Sequence, residues 1–114
     1  MLTLEENAPF SLSVMQDGRQ IGVIRWKLLW DEIPFLELIQ LEEGERKKGF
    51  GTRALTLFEC LLKERKFRSV LVSTREDETG QDFFRKLGYR DCGGMDMSGF
   101  TAQKAKELFL YKNF

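Results

Sequence analysis

The sequence contains no histidine, and this absence removes the most common acid–base residue of enzyme sites. None of the 114 residues is a histidine, so neither a Ser-His nor a Cys-His nucleophile pair can form. A metal site rich in imidazole is excluded for the same reason. Any proton transfer must therefore use a carboxylate, tyrosine, cysteine, lysine or water.

Cysteine and long apolar runs are scarce as well. Cys60 and Cys92 are the only two cysteines, too few for a disulfide framework. Cys60 falls in a helical pattern and is predicted to pack in the core. The opening MLTLEENAPF lacks the basic and apolar regions of a signal peptide, and no apolar run approaches the ~18 residues of a membrane span. These absences predict a cytoplasmic protein with no membrane partner.

Net charge is also absent, because 18 basic residues balance 18 acidic ones. A neutral chain lacks the basic field that nonspecific nucleic-acid binding requires, so nucleic acid is not expected as a partner. Basic residues do cluster at 46–53 and 63–68, which is enough for a small polyanionic ligand. The 42% apolar content suits a packed core, and the length suits a single domain over residues 1–114.

The hydrophobic period separates the chain into strands and helices. Alternation predicts strands over 10–16, 20–30 and 35–41, with Phe35, Glu37, Ile39 and Leu41 on one face of the third strand. Helical spacing then predicts helices over 49–66 and 77–88, and shorter apolar runs predict strands over 69–74, 89–94 and 105–114.

The order of these elements predicts an α/β (α+β) architecture. The strand–helix–strand unit over 35–74 implies a parallel pair joined by a right-handed crossover. Short turns elsewhere imply antiparallel pairing. We therefore expect a mixed, mostly antiparallel sheet with helices on both faces.

The stretch GERKKGFGTRAL, residues 44–55, joins the third strand to the long helix. The first amides of a helix have no partner within it, and the helix dipole is positive there, so such a turn can bind an anion. No Lys-Ser or Lys-Thr follows the second glycine, as a Walker A loop requires, and an alanine replaces the third glycine of a dinucleotide fingerprint. From the pattern alone, a phosphate cradle and a solvated charged loop remain equally open.

Two segments together carry a resemblance to a known family. The order R-x-x-G-x-G over residues 46–51 resembles the coenzyme A loop of the GNAT superfamily of N-acetyltransferases. The downstream DETGQDFFRKLGYRDCGG, residues 77–94, is similar to the family's segment N-x-x-A-x-x-(F/L)-Y-x-K-L-G-(F/Y). The resemblance covers roughly residues 10–114. It implies a central splayed pair of parallel strands and acetyl-CoA as cofactor. The sequence departs from the family in length, since few residues precede the first predicted strand, and we expect a short form lacking much of the usual N-terminal strand and helices.

The resemblance also implies which residues contact acetyl-CoA. The pantetheine arm would lie along the backbone of Ile39, Gln40 and Leu41, and Arg46 would frame the turn of the pyrophosphate loop. The amides assigned to the pyrophosphate are those of Lys47, Lys48, Gly49, Phe50, Gly51 and Thr52. In the second segment Asp77 replaces the family's asparagine, and Phe84 replaces the tyrosine that protonates the leaving thiolate. Phe84 cannot donate a proton, so water or a neighbouring group serves, or activity is weak.

Glu37 is the candidate catalytic base. It lies in an otherwise apolar strand, where the surroundings would tune a carboxylate for proton transfer near neutrality, and related acetyltransferases often carry a glutamate there. Two alternatives stay open: Glu37 binds the ammonium group of the substrate, or it pairs with a lysine. Trp26 and Trp30 are predicted to share a strand face, either in the core or at the acceptor pocket.

The resemblance implies an acyltransferase that moves an acetyl group from acetyl-CoA to a primary amine by direct attack. The alternative is a CoA-binding module or regulatory subunit with weak or no catalysis. The acceptor is a small-molecule amine or a protein amine, and its identity is not fixed by the sequence. Few residues precede the first predicted strand, so the acceptor pocket is open, completed by a partner subunit in a homodimer, or suited to a large substrate.

Overall fold

A computed structural model describes the whole chain, residues 1–114. It contains seven strands, two α-helices and one short 3₁₀ turn over Glu43–Glu45. The elements are β1 (Leu2–Ala8), β2 (Ser11–Gln16), β3 (Arg19–Leu29), β4 (Ile33–Leu41), α1 (Phe50–Glu64), β5 (Ser69–Arg75), α2 (Gly80–Lys86), β6 (Arg90–Met95) and β7 (Glu107–Asn113). Neither helix is long and apolar enough to cross a membrane.

All seven strands form one sheet in the order β1-β2-β3-β4-β5-β7-β6. Every neighbouring pair is antiparallel except β4 and β5, which confirms the predicted mixed sheet. Strand β1 was not predicted from the sequence. Only Leu2 and Leu4 alternate before a run of exposed polar residues, and pairing with β2 on one edge is what holds this strand extended.

The parallel pair is splayed, as predicted. Strands β4 and β5 are in register only at Phe35–Leu71 and Leu36–Val72. Beyond these pairs the two strands diverge toward their C-terminal ends. The divergence opens a V-shaped cleft in the middle of the sheet, and α1 begins at its mouth.

Both helices lie on one face of the sheet, so the prediction of helices on both faces is wrong. The ring of Phe58 on α1 meets Trp26 of β3 at 5.8 Å between centroids. A Cβ added at Gly80 of α2 would meet the Thr74 side chain of β5 at 3.2 Å, and Thr74 shares this face with Trp26 through the strand register. The crossovers β4-α1-β5 and β5-α2-β6 advance in the same direction across the sheet. Since right-handed crossovers are strongly preferred, both helices fall on the same side.

The sheet face that carries no helix is called the open face below. Residues paired across neighbouring strands point to the same side of a sheet. Trp26, paired with Leu36, points to the helices, so Arg25 and Lys27 point to the open face.

Two side chains lie elsewhere than predicted. Cys60 is exposed, because the buried stripe of α1 runs through Ala54, Leu55, Phe58, Glu59 and Leu62 instead. Trp26 is in the core with 4% of its surface exposed, whereas Trp30 is 83% exposed. Trp30 does not share a strand face with Trp26, because it lies in the tight turn between β3 and β4 with a φ of 51°.

Candidate functional site

A cleft of about 700 Å³ lies between the end of β4, the start of α1 and the start of α2. It contains most of the residues that the sequence assigned to cofactor binding, together with three from α2 and the turn before it. The lining residues are Ile39, Gln40, Leu41, Arg46, Lys47, Gly49, Gly51, Thr52, Thr79, Gly80, Phe83 and Phe84.

Backbone amides form one end of this cleft. The N–H groups of residues 47–52 donate to no carbonyl of the chain, and no side chain caps α1. Gly49 precedes the helix with a φ of 80°, a left-handed conformation that glycine adopts without a steric penalty. The Nε of Arg46 donates to the Leu41 carbonyl at 3.2 Å and closes the turn. A run of free amides at the positive end of a helix dipole is suited to a phosphate group.

One acidic residue neutralises some of the basic side chains at this end and leaves others unpaired. Glu45 accepts a hydrogen bond from Arg19 and pairs with the Lys48 amine at 3.4 Å. The Arg19 guanidinium holds the pKa of the Glu45 carboxyl below its usual range. Arg46 and Lys47 form no ion pair and line the cleft. They therefore leave uncompensated positive charge beside the free amides.

Gly51 leaves a narrow gap between two walls of the cleft. A Cβ added there would lie 3.8 Å from the Phe83 ring and 4.0 Å from Leu41 Cδ1. These are ordinary contact distances, so the space between α2 and β4 at this point is about one methyl group wide. The glycine keeps this space available to a ligand.

The start of α2 supplies lining residues that the sequence did not assign: Thr79, Gly80 and Phe83. Gly80 lets α2 lie close to the Thr74 side chain, whose hydroxyl is buried without a hydrogen-bond partner. The sequence does contain an indication of this contact, because a glycine near the start of a predicted helix allows its backbone to lie close to a neighbouring element.

The backbone of β4 is free on the side that faces β5 after the splay begins. Pairing with β5 ends at Leu36, whereas pairing with β3 continues to Leu41. The β5-facing amide and carbonyl of Ile39 and the amide of Leu41 are thus available to an extended ligand in the V, whereas the Leu41 carbonyl already accepts from Arg46. This is the strand-like pairing mode that bound peptides use.

Glu37 lies outside the lining of this cleft. The β3–β4 register passes from Arg25–Leu38 to Trp26–Leu36, which leaves Glu37 as the extra residue of a β-bulge. Its carboxylate is 2.6 Å from the Lys27 amine and its side chain is 37% exposed. The shared face predicted for Phe35, Glu37, Ile39 and Leu41 and the predicted apolar surroundings of Glu37 are therefore wrong. The bulge shifts the alternation, and β3 brings a lysine to the carboxylate.

Three other predicted residues do not line the cleft. Lys48 is paired with Glu45, and Asp77 is bound by Arg75 at 2.9 Å and exposed to solvent. The ring of Phe50 packs against the core. These three positions enter the candidate site only through their backbone or not at all.

The second segment offers no hydroxyl to the cleft at its aromatic position. Phe84 is 7% exposed and makes an edge contact with Tyr89 at 5.2 Å. Tyr89 is a core residue whose Oη donates to Glu59 at 2.7 Å. Burial, reinforced by Glu59, raises the pKa of Tyr89 far above its usual range. Tyr89 therefore cannot replace the missing proton donor.

Comparison with known proteins agrees with this geometry. The sequence profile of the Acetyltransferase (GNAT) family matches residues 2–89, whereas a search of curated protein sequences gives no match. A GNAT family acetyltransferase from Elizabethkingia anophelis with acetyl-CoA bound superposes with a TM-score of 0.81 at 15% identity, covering 91% of this chain and 75% of that one.

Two further solved structures share the fold. One is a Bacillus anthracis protein assigned as a streptothricin acetyltransferase, in complex with acetyl coenzyme A, with a TM-score of 0.81 at 20% identity over 95% of this chain and 65% of that one. The other is a ribosomal-protein-alanine N-acetyltransferase from Brucella melitensis, with a TM-score of 0.77 at 17% identity over 91% and 68%. Because the profile covers well over half of its length, the chain belongs to the acetyltransferase (GNAT) family.

Proposed function

We propose that this protein binds acetyl-CoA and transfers the acetyl group to a primary amine, of a small molecule or of a protein, in the cytoplasm. The observation that carries the proposal is the end of the cleft where the free amides of residues 47–52 meet the unpaired cations Arg46 and Lys47. Family membership and the acetyl-CoA bound in two structural neighbours support it.

The cleft fits the two polar parts of acetyl-CoA. The pyrophosphate takes the free amides at the start of α1, and Arg46 and Lys47 add charge to that contact. The pantetheine arm lies in the V and pairs with the free edge of β4 at Ile39 and Leu41. Gly51 keeps the backbone of α1 close to the ligand without a Cβ between them, and Gly80 keeps α2 close to Thr74 of β5.

Acetyl-CoA supplies an activated thioester, so this chain has to position the reactants and move one proton. The neutral amine attacks the thioester carbonyl, a C–N bond forms, and the C–S bond breaks to release the thiolate. A free backbone N–H at the edge of β4 donates to the carbonyl oxygen as negative charge develops there.

In this proposal Glu37 takes the proton from the attacking amine, directly or through water. It follows the last parallel pair of the V, at Leu36–Val72, and its carboxylate shares the open face with Lys27. The Lys27 ammonium occupies the position that a substrate ammonium would take beside Glu37. The released thiolate takes its proton from solvent, because Phe84 cannot donate one; a free thiol has a pKa of about 8.5 and is mostly protonated at neutral pH.

A second function, binding of CoA without efficient catalysis, is favoured by two observations. Glu37 is already paired with Lys27 at 2.6 Å, and the aromatic residue at position 84 has no hydroxyl. Both features lower catalytic power without altering the amide end of the cleft. This reading predicts the same affinity for acetyl-CoA and no turnover.

Two measurements separate the readings. Calorimetry with acetyl-CoA should show binding, and its absence would contradict both functions. A thiol-release assay over a panel of primary amines should then show turnover that Glu37→Gln lowers by about 100-fold, within the range of general-base catalysis. Glu32→Gln, which changes an exposed carboxylate in the β3–β4 turn, is the matched control and should leave turnover unchanged. Equal turnover of the two variants would remove Glu37 from the mechanism.

A further inference from the structure

The open face of the sheet has an apolar centre. Its side chains come from the four strands β3, β4, β5 and β7, and each of them is half-buried. They include Val23, Phe35, Leu38, Leu71, Phe109 and Tyr111. Neither helix packs over them, because α1 and α2 lie on the other side.

The chain exposes more surface than a folded monomer of its mass. A globular protein of 13.3 kDa is expected to expose about 6,500 Å², whereas this chain exposes 7330 Å². The excess of roughly 800 Å² over the expected surface matches the ~800 Å² that each partner buries in a standard protein–protein interface. The radius of gyration is likewise 14.3 Å, against about 13.3 Å expected for this length.

Charges of both signs surround the apolar centre. Arg25, Lys27 and Arg90 carry positive charge on this face, and Glu5 and Glu37 carry negative charge. A surface for nucleic acid or anionic lipid would carry one sign. A balanced rim around an apolar, aromatic centre is instead typical of a protein interface, and a surface with both signs can match a rotated copy of itself.

We propose that the open face is the interface of a homodimer, in which a second copy of this chain packs its own open face against the first. A twofold axis makes such a contact self-complementary, since the acidic part of one rim meets the basic part of the other. If the proposed function holds, the partner also borders the acceptor side of the site, because Glu37 and Lys27 lie in this rim.

Analytical ultracentrifugation of the full chain tests the proposal directly. Interfaces of this size dissociate at about micromolar concentrations or below, so a dimer should dominate at about 50 µM. Leu71→Lys places a charge at the apolar centre and should give a folded monomer. Trp30→Lys is the matched control: it replaces another apolar side chain by lysine, in a turn where Trp30 is 83% exposed, and should stay dimeric.

A wild-type protein that remains monomeric at about 50 µM would overturn the proposal. So would a dimer that survives both Leu71→Lys and Val23→Lys, since these variants change the same face from two different strands. Circular dichroism establishes that each variant is folded, and either folded variant is sufficient for the test. Calorimetry with acetyl-CoA keeps the two proposals apart, because the cleft lies on the helix side and Leu71→Lys should bind the ligand as tightly as the wild type does.

Discussion

Replacing Gly51 by alanine should make the protein more stable and its cofactor site weaker. The added methyl group would lie 3.8 Å from Phe83 and 4.0 Å from Leu41, so it meets no steric conflict in the absence of ligand. Alanine is favoured over glycine within a helix by about 0.8–1.0 kcal/mol. Gly51 lies in the first turn of α1, where the gain is smaller, and we expect a rise of about 0.5 kcal/mol in the free energy of unfolding.

The same methyl group fills the gap through which the ligand reaches the amides. A pyrophosphate displaced by a methyl radius loses one or more charge-assisted hydrogen bonds, each contributing about 1.5–3 kcal/mol. The dissociation constant of acetyl-CoA should therefore rise by about 10- to 100-fold. Calorimetry measures the affinity, and urea unfolding measures the stability of the same preparation.

Two glycines of the same loop serve as controls. Gly44 has open space around it and no positive φ, so Gly44→Ala should alter neither quantity beyond a few tenths of a kcal/mol. Gly49 also has open space but a φ of 80°, so Gly49→Ala should destabilise the fold by about 1 kcal/mol through backbone strain. The dissociation constant of acetyl-CoA for Gly51→Ala could instead lie within about twofold of the wild-type value, a difference of roughly 0.4 kcal/mol. That result would refute the assignment of the amides to the pyrophosphate.

Three further predictions concern the loop charges, a turn and the core. Lys47→Ala should weaken acetyl-CoA binding about fivefold, the effect of one exposed ion pair of ~1 kcal/mol, while Lys48→Ala should have little effect because its amine pairs with Glu45. Calorimetry at low and high salt measures both affinities. An equal loss of affinity in the two variants would contradict the different roles assigned to the two lysines. Trp30→Gly should raise the free energy of unfolding by about 1 kcal/mol, because a bulky residue at a φ of 51° is strained. Urea unfolding measures this change, and a decrease in stability would mean that Trp30 makes stabilising contacts. Tyr89 keeps its proton in the folded state, where its pKa is raised, but ionises when unfolded. The free energy of unfolding of the wild type should therefore fall by about 1.4 kcal/mol per pH unit above pH ~10 relative to that of Tyr89→Phe. Urea unfolding of both proteins at pH 9 and 11 measures this, and an equal change in stability for the two would disprove it.

The features that the sequence predicted well depend on residues close together in the chain. The strand, glycine turn and helix over residues 35–64 follow from local period and turn chemistry, and the structure places the predicted loop residues Arg46, Lys47, Gly49, Gly51 and Thr52 around one cleft. The right-handed crossover rule then sufficed to predict the parallel pair.

The features that were missed depend on which strands become neighbours. The side taken by α2 follows from the position of β6 beyond β7, which no local pattern contains. The surroundings of Glu37 depend on β3, since a register shift inserts a bulge and brings Lys27 to the carboxylate. Strand β1 likewise becomes a strand through its pairing with β2. The strand propensity of a segment cannot predict such contacts, because they depend on neighbouring strands that are distant in sequence.

The positions of the two faces suggest that affinity for the cofactor and choice of acceptor are separable in this protein. The amide end of the cleft is built on the helix side by α1 and α2, whereas Glu37 and Lys27 belong to the open face. Substitutions at Gly51 or Lys47 should therefore change acetyl-CoA binding alike for every acceptor. Substitutions on the open face should instead change which amines react, because the second copy proposed to pack there borders the side from which an amine reaches Glu37. A variant such as Leu71→Lys that alters the order of preference among amines, at constant affinity for acetyl-CoA, would place acceptor selection on the open face and not in the cleft.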